Sequence, residues 1–538
     1  MAAAARGGGG GGEFMNYADI EEQFNNMALE GPSAQDGMDC IVSLIISCLP
    51  PPLVPAPEAD DSDDDHFSLT SSDSEDADGH AVFLAVQDGD GEDHFSRLPR
   101  NLLSNIMSRL PTKEAARTMV LSTRWRCVWA ATPLLVDDAH FRAAEEHSLF
   151  DAVRSISLCV AAHPGPVRAL RVTRTSFYEQ EYALQRLVAS LAAKKIQDLI
   201  LFNRPWPINM PLPEDILRCA SLTRLYIGVW HFPDIPAAHR RPAFPNLHEL
   251  GLFHSMVEDK KFNALLAHCP ELKILSFALS YNYPSCLRLK SRSVRVVLEW
   301  VCTFDKIIVD DAPCLERLLF ESFSERRRPV KIVHASGLEV LGFLDFQLHM
   351  LEIGGTVIRA GMTMKDDAML PSLKILAVKV RFSHDKEVKM LHTLLRCFPC
   401  LETLHIMSIP SWSADGGDCA ETWNSMGYSN CLSHLKTFVL HGFQGLDREQ
   451  LFVSYILEKG IKTLGIVCGD SDGVLVKGNA PSGGSSGSGI SVCPASSCWS
   501  FQHAIDLSVE DPFCVLRRDK ARIASFTEAM RLCASLGC

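Results

Sequence analysis

One pattern recurs along most of the chain and constrains its fold more than any other feature. Seven stretches have the form apolar-x-x-apolar-x-apolar, mostly 23 to 35 residues apart, and they begin at Leu222, Leu247, Leu272, Leu315, Leu338, Leu373 and Leu401. Four weaker copies read VRALRV, IQDLIL, LKTFVL and IKTLGI. A period of this length is typical of leucine-rich repeats, in which each unit is a strand and its return segment.

A proline stands two residues before the first leucine in five of these copies: Pro245, Pro270, Pro313, Pro371 and Pro399. Proline has no N–H and disfavours helical geometry in the residue before it, so it ends an incoming helix where the strand begins. One strand–helix unit cannot bury its own apolar face, so the units are expected to stack into a solenoid. An ordinary α/β domain would not explain the recurring register. The variable spacing predicts an irregular arc.

The first 93 residues have a composition that disfavours folding. A glycine run and a proline-rich stretch precede a block between Glu58 and Asp93 that holds 14 acidic and no basic residues. Such a sequence cannot bury enough apolar surface to offset the entropy of ordering, so we predict a disordered acidic leader over residues 1–93. The net charge of −13 therefore resides in this block. The remainder is close to neutral, which gives no indication of binding to nucleic acid or to an anionic membrane.

Cysteine usage and hydropathy indicate the compartment. The nineteen cysteines are odd in number and scattered through apolar patterns, which favours reduced, buried thiols over a disulfide framework. The N-terminus lacks the apolar run of a signal peptide. The apolar stretch IVSLIISCLPPPLV contains three prolines and is too short to span a bilayer. We expect a protein of the nucleus, the cytoplasm or both.

A compact module of three short helices is predicted over residues 94–141. Pro99 suits the start of the first helix and Pro111 ends it. Thr112 and Ser122 are suited to cap the second and third helices. A bundle this small cannot bury its leucines and two tryptophans internally, so the surplus apolar face must be covered by another chain or by the repeats.

The stretch LPRNLLSNIMSRLPTKEAARTMVLSTRWRCVW closely resembles the F-box of plant F-box proteins. The shared features are the Leu-Pro pairs at Leu98 and Leu110, the V-L-S turn at Val120, and Trp125 and Trp129. Two later stretches, LPSLKILAVKVRFSHDKEVKMLHTLLRCFPCLETLHI and NCLSHLKTFVLHGFQGLDREQLFVSYILEKGIKTL, resemble the repeats and the terminal region of the plant F-box/LRR/FBD family. The resemblance covers roughly residues 93–470.

The resemblance implies a bridging function without catalysis. The F-box is expected to bind a Skp-family adaptor and through it a cullin, while the repeats hold a target protein that the sequence does not identify. The chain would then be the substrate-recognition subunit of an SCF-type ubiquitin ligase. The alternatives are an adaptor-bound scaffold without ligase activity and an F-box receptor that senses a small molecule. The expected adaptor-binding residues are Leu98, Pro99, Leu102, Leu103, Ile106, Leu110, Pro111, Val120, Leu121, Ser122, Trp125 and Trp129.

The predicted fold class is α/β, with a three-helix F-box followed by an irregular leucine-rich-repeat solenoid. After the leader and the F-box we predict a linker helix and repeats over residues 142–367, then C-terminal repeats and an FBD-like region over 368–470. A Gly/Ser break and a tail occupy residues 471–538. In the tail, WSFQHAIDLSVEDPF resumes an ordered pattern that could add a strand against the arc.

Motifs for catalysis, cofactors and metals are weak. The string GGSSG at Gly483 fits G-x-S-x-G but lies in a Gly/Ser-rich stretch without the strand-to-helix elbow of a hydrolase. Cys397 and Cys400 form a C-x-x-C without a second pair at zinc spacing, which favours a structural role. The run Glu325–Arg328 is the strongest basic cluster, and a solvated loop is favoured over an anion site. We therefore expect no cofactor, no metal and no catalytic activity of the chain's own.

Overall fold

A computed structural model describes most of the chain after the predicted leader. The described ranges are 98–110, 112–141, 149–204, 210–236, 241–321, 326–363, 368–410, 432–458, 461–468, 489–493, 500–513 and 522–523, with 43, 46–47 and 49–51 from the leader. The acidic block, Pro111 and the motif at Gly483 lie outside the described residues.

Three short helices form the first module. They are α1 (Arg100–Ser108), α2 (Thr112–Arg117) and α3 (Thr123–Ala131), with a 3-10 turn at Thr118–Val120 between the last two. Ser122 caps α3, as predicted, because its hydroxyl accepts a hydrogen bond from the N–H of Trp125 at 3.3 Å. Thr112 was expected to cap α2 but is its first residue, and its hydroxyl donates to the carbonyl of Leu135 instead. This contact links the helices to the first strand of the repeats.

Fifteen strands of the described chain form one main sheet. They are β1 (Leu134–Asp137), β2 (Val167–Val172), β3 (Asp198–Phe202), β4 (Arg224–Gly228), β5 (Glu249–Phe253), β6 (Ile274–Ala278), β8 (Val296–Trp300), β10 (Arg317–Glu321), β12 (Val340–Asp345), β15 (Ile375–Val380), β16 (Thr403–Ser408), β17 (Thr437–Phe443), β18 (Thr463–Cys468), β19 (Gly489–Cys493) and β20 (Arg522–Ile523). They follow one another across the sheet in this order, all parallel except the antiparallel pair β19–β20. All eleven predicted copies form strands here, so the predicted α/β repeat fold is confirmed.

The described return segments lie on one face of this sheet, and the helices among them lie towards its two ends. The helices are α4 (Leu149–Ala162), α5 (Glu181–Ala193), α6 (Asp259–Ala267), α7 (Asp385–Leu395) and α8 (Asp447–Glu458). In the middle, a second sheet of five strands takes their place: β7 (Cys286–Lys290), β9 (Lys306–Asp311), β11 (Arg328–Ile332), β13 (His349–Ile353) and β14 (Thr356–Val357). Exposure alternates along β7 and β13 with the period of two that specifies a strand.

The leucines of the repeated motif form the core between the main sheet and this outer layer. Leu373 and Leu376 of one copy are both fully buried there, as are Leu401 and Leu404 of the next. The seven better copies each begin their strand two residues after the first leucine. The register predicted from the sequence therefore places these side chains on the face that the outer layer covers.

A buried ion pair joins the two sheets in the middle of the arc. Arg328 of β11 lies 2.7 Å from the carboxylate of Glu299 on β8, and both side chains are almost completely inaccessible. Arg328 also lies 3.1 Å from the ring of His349 and donates to the carbonyl of Cys302 at 3.2 Å. The prediction that the run ending at Arg328 is a solvated loop is therefore wrong for that residue. A guanidinium can be buried here because a carboxylate and a carbonyl accept its hydrogen bonds.

The opposite face of the main sheet carries a second apolar cluster, which we call the inner face. Its strand residues are Ile200, Phe202, Tyr226, Phe253, Ile274, Ala278, Val296, Leu298, Trp300, Leu319, Val340, Phe343, Ala377 and Met407. Helix α9 (Phe501–Ile505) and the residues that follow it to Phe513 pack on this cluster. The segment thus crosses the inner face with a short helix, not with the strand that the sequence suggested. Phe501, Ala504 and Ile505 are spaced at i, i+3 and i+4, which is a helical pattern.

A short piece of the leader also lies on the inner face. Leu49 is only 3% exposed within the second apolar cluster. Arg171 donates to the carbonyls of Ile46 and Pro50 at 3.2 and 3.4 Å, and Arg224 donates to that of Pro51 at 2.7 Å. This contact involves the apolar, proline-containing stretch of the leader, for which the sequence predicted disorder together with the acidic block.

Leu376→Asp tests the register of the repeats. The side chain is fully buried between the layers, and an unpaired charge at such a site costs roughly 3–5 kcal/mol. We expect a clear fall in the midpoint of thermal unfolding measured by circular dichroism. Lys389→Ala, on the exposed side of α7, is the control and should leave the midpoint unchanged. An unchanged midpoint for Leu376→Asp would show that the register is wrong.

Candidate adaptor-binding and target-binding surfaces

The three-helix module has a very small core of its own. Leu103 and Met107 of α1, Ala115 of α2 and Val128 of α3 are each at most 3% exposed and form one cluster. Hydrogen bonds to backbone carbonyls join α1 to α3: Arg124 donates to Leu98, and Arg100 donates to Cys127 at 3.2 Å. Four buried side chains cannot enclose the remaining apolar residues of the module, so those residues stay near the surface.

The residues left near the surface are unusually apolar. The side chains of Val120 and Leu121 are 81% and 64% exposed, and those of Leu102 and Ile106 are 46% and 36% exposed. Leu102 and Ile106 lie one turn apart on α1, and the Arg124 contact places the start of α3 beside the start of α1. We name this surface the F-box face. It comprises Pro99, Leu102, Ile106, Val120 and Leu121, with the half-buried Leu98 and Trp125 at its margin.

The other predicted adaptor-binding residues have different environments. Leu103 is buried in the core of the module, so it supports the F-box face from beneath and is inaccessible in this structure. Leu110 is half-buried, and Trp129 packs against the main core with its ring 5.0 Å from that of His163. Ser122 is exposed but is already used as the cap of α3. The adaptor contact itself stays a prediction for all of these residues.

The module is joined to the repeats without a spacer. Helix α3 leads within a few residues into β1, whose Leu134 pairs with Val167 of β2. The ring of His163, which follows α4, lies 3.0 Å from the carbonyl of Thr132, and the Thr132 hydroxyl lies 2.9 Å from that of Ser104 on α1. The predicted linker helix corresponds to α4, yet it follows β1 and packs as the first outer helix. The three-helix module is therefore joined to the main sheet by a short connection and by the hydrogen bonds of Thr132.

A buried carboxylate fixes the backbone at this junction. Asp138 is 1% exposed and accepts hydrogen bonds from the N–H groups of Thr173 and Arg174 at 3.1 and 2.7 Å. The hydroxyl of Thr175 donates to the same carboxylate at 2.9 Å. Burial raises the pKa of Asp138, while these donors act in the opposite direction. The side chain thus holds the loop after β2 against the chain that leaves β1.

Asp138→Ala should destabilise the junction. Removing the carboxylate leaves three donors without their acceptor, two of them on the buried residues Thr173 and Thr175, at roughly 1–3 kcal/mol for each buried donor. We expect a lower midpoint of thermal unfolding and faster hydrogen exchange in residues 173–175. Asp137→Ala is the matched control, because Asp137 is half-buried and lies 3.9 Å from Arg171. Equal stability of the two variants would contradict the role assigned to Asp138.

The inner face is the second candidate surface, and sequence reasoning missed its polar residues. Arg317 is 4% exposed and His405 is completely buried, although each stands at a variable position of the repeated motif. The signal that could have indicated the inner face itself is the helical spacing of Phe501, Ala504 and Ile505 in the tail. That pattern predicts an apolar helical face, and such a face needs an apolar surface to cover it.

The described residues offer few other sites. Within them no cluster of three His, Cys, Asp or Glu side chains is arranged to hold a metal ion. Cys397 is buried in the main core, whereas Cys400 is exposed, so only Cys397 contributes to the core. Among the described helices, none combines the length and the apolar character that crossing a membrane requires.

Comparison with known families matches three regions of the chain. Residues 95–136 match the profile described as "F-box domain", and residues 430–461 match the profile described as "FBD". Residues 184–406 match "FBD-associated F-box protein At5g56370, LRR repeats". The first match includes α1 to α3, the second includes β17 and α8, and the third begins within α5 and ends within β16.

Similar curated proteins come from Arabidopsis thaliana. The chain is 25% identical to the putative F-box protein At1g67390 over 422 residues, which are 71% of this chain and 85% of the relative. It is 27% identical to the putative F-box/FBD/LRR-repeat protein At3g49480 over 414 residues, 70% of this chain and 89% of the relative. A shorter match of 196 residues, 36% of this chain and 45% of the relative, is 29% identical to the F-box/FBD/LRR-repeat protein At1g13570.

Proposed function

We propose that this chain, which carries the F-box, leucine-rich repeats and FBD region of the plant F-box/FBD/LRR-repeat proteins, is the substrate-recognition subunit of an SCF-type ubiquitin ligase. F-box domains generally bind Skp1-type adaptors, and leucine-rich repeats generally mediate protein interactions. Members of this family are generally non-catalytic adaptors. In the proposal, the F-box face binds the adaptor, the adaptor binds a cullin, and the repeats hold a target protein.

The observation that carries the proposal is the exposure of the F-box face. A soluble protein rarely leaves several large apolar side chains together on its surface unless a partner covers them. Val120 and Leu121 form one exposed turn, and Leu102 and Ile106 form one exposed helical stripe. Each Leu, Ile or Val that the adaptor buries contributes roughly 1.5–3 kcal/mol in transfer terms. These contributions support an adaptor contact that is stabilised largely by the hydrophobic effect.

The junction to the repeats supports the bridging part of the proposal. A target is modified efficiently when it is held near the reactive group, because tethering raises its effective concentration. The direct connection of α3 to β1, the pairing of β1 with β2 and the hydrogen bonds of the buried Asp138 would hold the repeats in one orientation relative to an adaptor on the F-box face. The function also implies a location in the nucleus, the cytoplasm or both, which imaging of a tagged chain would check.

A double substitution in the exposed turn tests the proposal. Val120→Asp with Leu121→Asp should weaken binding to a purified Skp-family adaptor by roughly 100-fold, since the loss of two apolar contacts is worth about 3 kcal/mol or more. Both side chains are largely exposed, so the midpoint of thermal unfolding should not change. Calorimetric titration of the full chain with the adaptor measures the effect.

Leu158→Asp is the matched control, because Leu158 is 58% exposed and lies on α4, which is not part of the three-helix module. It should bind the adaptor like the wild type. Equal affinity of the double variant and the wild type would refute the assignment of the F-box face. Recovery of a cullin with the wild-type chain, and its loss with the double variant, would further separate a ligase subunit from a scaffold without ligase activity.

A further inference from the structure

The segment of residues 500–513 lies across the inner face of the main sheet. Ser500 caps α9 by accepting a hydrogen bond from the N–H of His503 at 3.3 Å. Phe501, Ala504 and Ile505 are buried against the sheet, at 7% exposure or less. The helix therefore turns one whole apolar side towards the strands, and the segment covers much of the second apolar cluster.

Aromatic rings anchor the N-terminal end of the segment. The ring of Phe501 lies 5.9 Å from that of Phe253 and 5.8 Å from that of Trp300. Phe253 in turn stacks on Tyr226 at 5.7 Å and 3°. Gly251 lies between them, and a Cβ at this position would come within 2.1 Å of the Tyr226 ring. Gly251 thus leaves space for the rings of Tyr226 and Phe253, and Phe501 packs against this aromatic surface.

One arginine of the sheet binds the middle of the segment through its backbone. The guanidinium of Arg317 on β10 donates to the carbonyls of His503, Ala504 and Asp506 at 3.5, 3.3 and 2.9 Å, and also to that of Val509. Carbonyls at the end of a helix lack partners within the helix and carry partial negative charge. A cation at this position recognises the end of a short helix and not a particular side chain.

A histidine and a second aromatic contact hold the C-terminal end. The ring of His405 on β16 lies 2.9 Å from the carboxylate of Asp511 and 3.1 Å from the ring of His441. Burial opposes ionisation of Asp511, yet His405 and the N–H of Phe513 hold the pKa of that carboxyl below its usual value. The ring of Phe513 packs 4.9 Å from that of Phe343.

The sheet does not depend on this segment for its backbone pairing. From β5 to β16 every strand of the main sheet pairs on both sides with neighbouring strands. The segment contributes a short helix and side chains, not a strand, so its removal would expose an apolar surface and leave the strand ladder complete. The inner face is therefore a formed surface with an occupant from outside the repeats.

We infer that the inner face is the peptide-binding surface of the repeats and that residues 500–513 occupy it as an intramolecular competitor. The partner that fits is a peptide segment with an aromatic residue at the start of a short helix, an apolar residue at i+4, an acidic residue at i+10 and a second aromatic residue at i+12. Phe501, Ile505, Asp511 and Phe513 stand at these positions in the present occupant. The inference rests on the proposed function, because it identifies where the repeats hold a target.

The test uses the full chain and a fluorescent synthetic peptide, SFQHAIDLSVEDPF, which reproduces residues 500–513. A tethered competitor acts at an effective concentration in the millimolar range, so the wild type should bind the peptide weakly. Phe501→Ala with Phe513→Ala in the chain should loosen the internal occupant and tighten peptide binding at least tenfold in fluorescence anisotropy. Glu510→Ala, at an exposed position of the same segment, is the control and should bind like the wild type.

A change in the peptide completes the test without altering the protein. A peptide with Phe501→Ala and Asp511→Asn should bind the double variant at least tenfold more weakly than the original peptide. Equal binding of the original peptide by wild type and double variant would overturn the inference, and so would equal binding of the two peptides by the double variant. Loss of the cooperative thermal transition in the double variant would also overturn it, because residues 500–513 would then be an obligatory part of the fold.

Adaptor titration of the same proteins distinguishes this inference from the proposed function. The wild type and the chain with Phe501→Ala and Phe513→Ala should bind the adaptor equally, because the F-box face is remote in sequence from the segment and shares no described contact with it. Failure of both to bind the adaptor would contradict the proposed function and leave the peptide result to be judged separately. Normal adaptor binding with equal peptide affinities would overturn only the inference.

Discussion

The main sheet is apolar on both faces, and most of the architecture depends on how each face is covered. Parallel strands are rarely left open to water, because their side chains on both faces are drawn from apolar residues. Leu376 points into the outer layer, and Trp300 belongs to the inner face. The described outer helices and outer strands cover the outer side of the main sheet, and none of their residues belongs to the cluster on the inner face. Covering the inner face therefore requires chain from outside the repeats, and the leader around Leu49 and the segment 500–513 supply it.

The same sheet determines how the F-box is held. Its first strand follows directly from α3, so the small helical module gains the support of the large core through Trp129 and His163. A module with only four buried core residues of its own would be marginal in isolation. Fusion to the sheet lets its other apolar residues stay exposed on the F-box face without loss of the fold. Stability is supplied by the repeats, and the module keeps its surface for a partner.

Sequence reasoning found the strands that carry the leucine motif, because a motif that repeats its register is a strong signal of a stacked fold. It missed β8, whose sequence VVLEW lacks the spaced leucines, and it did not predict the second sheet. Arg328 was expected in solvent because three adjacent arginines suggest a loop, and its acceptor on Glu299 lies 29 residues away in sequence. The F-box face was anticipated from the surplus of apolar residues. Leu103 was predicted to bind the adaptor but is buried beneath the F-box face. Composition does not distinguish a residue that supports a surface from the residues that form it.

The charged groups on the inner face determine which occupants it can accept. Arg317 is buried, and its hydrogen bonds within the described chain end on the backbone carbonyls of residues 503–509. A buried guanidinium without acceptors is strongly unfavourable, so a purely apolar ligand could cover Trp300 and Phe253 but would leave Arg317 unsatisfied. A peptide that ends a helix over Arg317 and places a carboxylate at His405 satisfies both groups. Most of the buried contact area on the inner face is therefore apolar. The buried polar groups, Arg317 and His405, determine which segments can bind there.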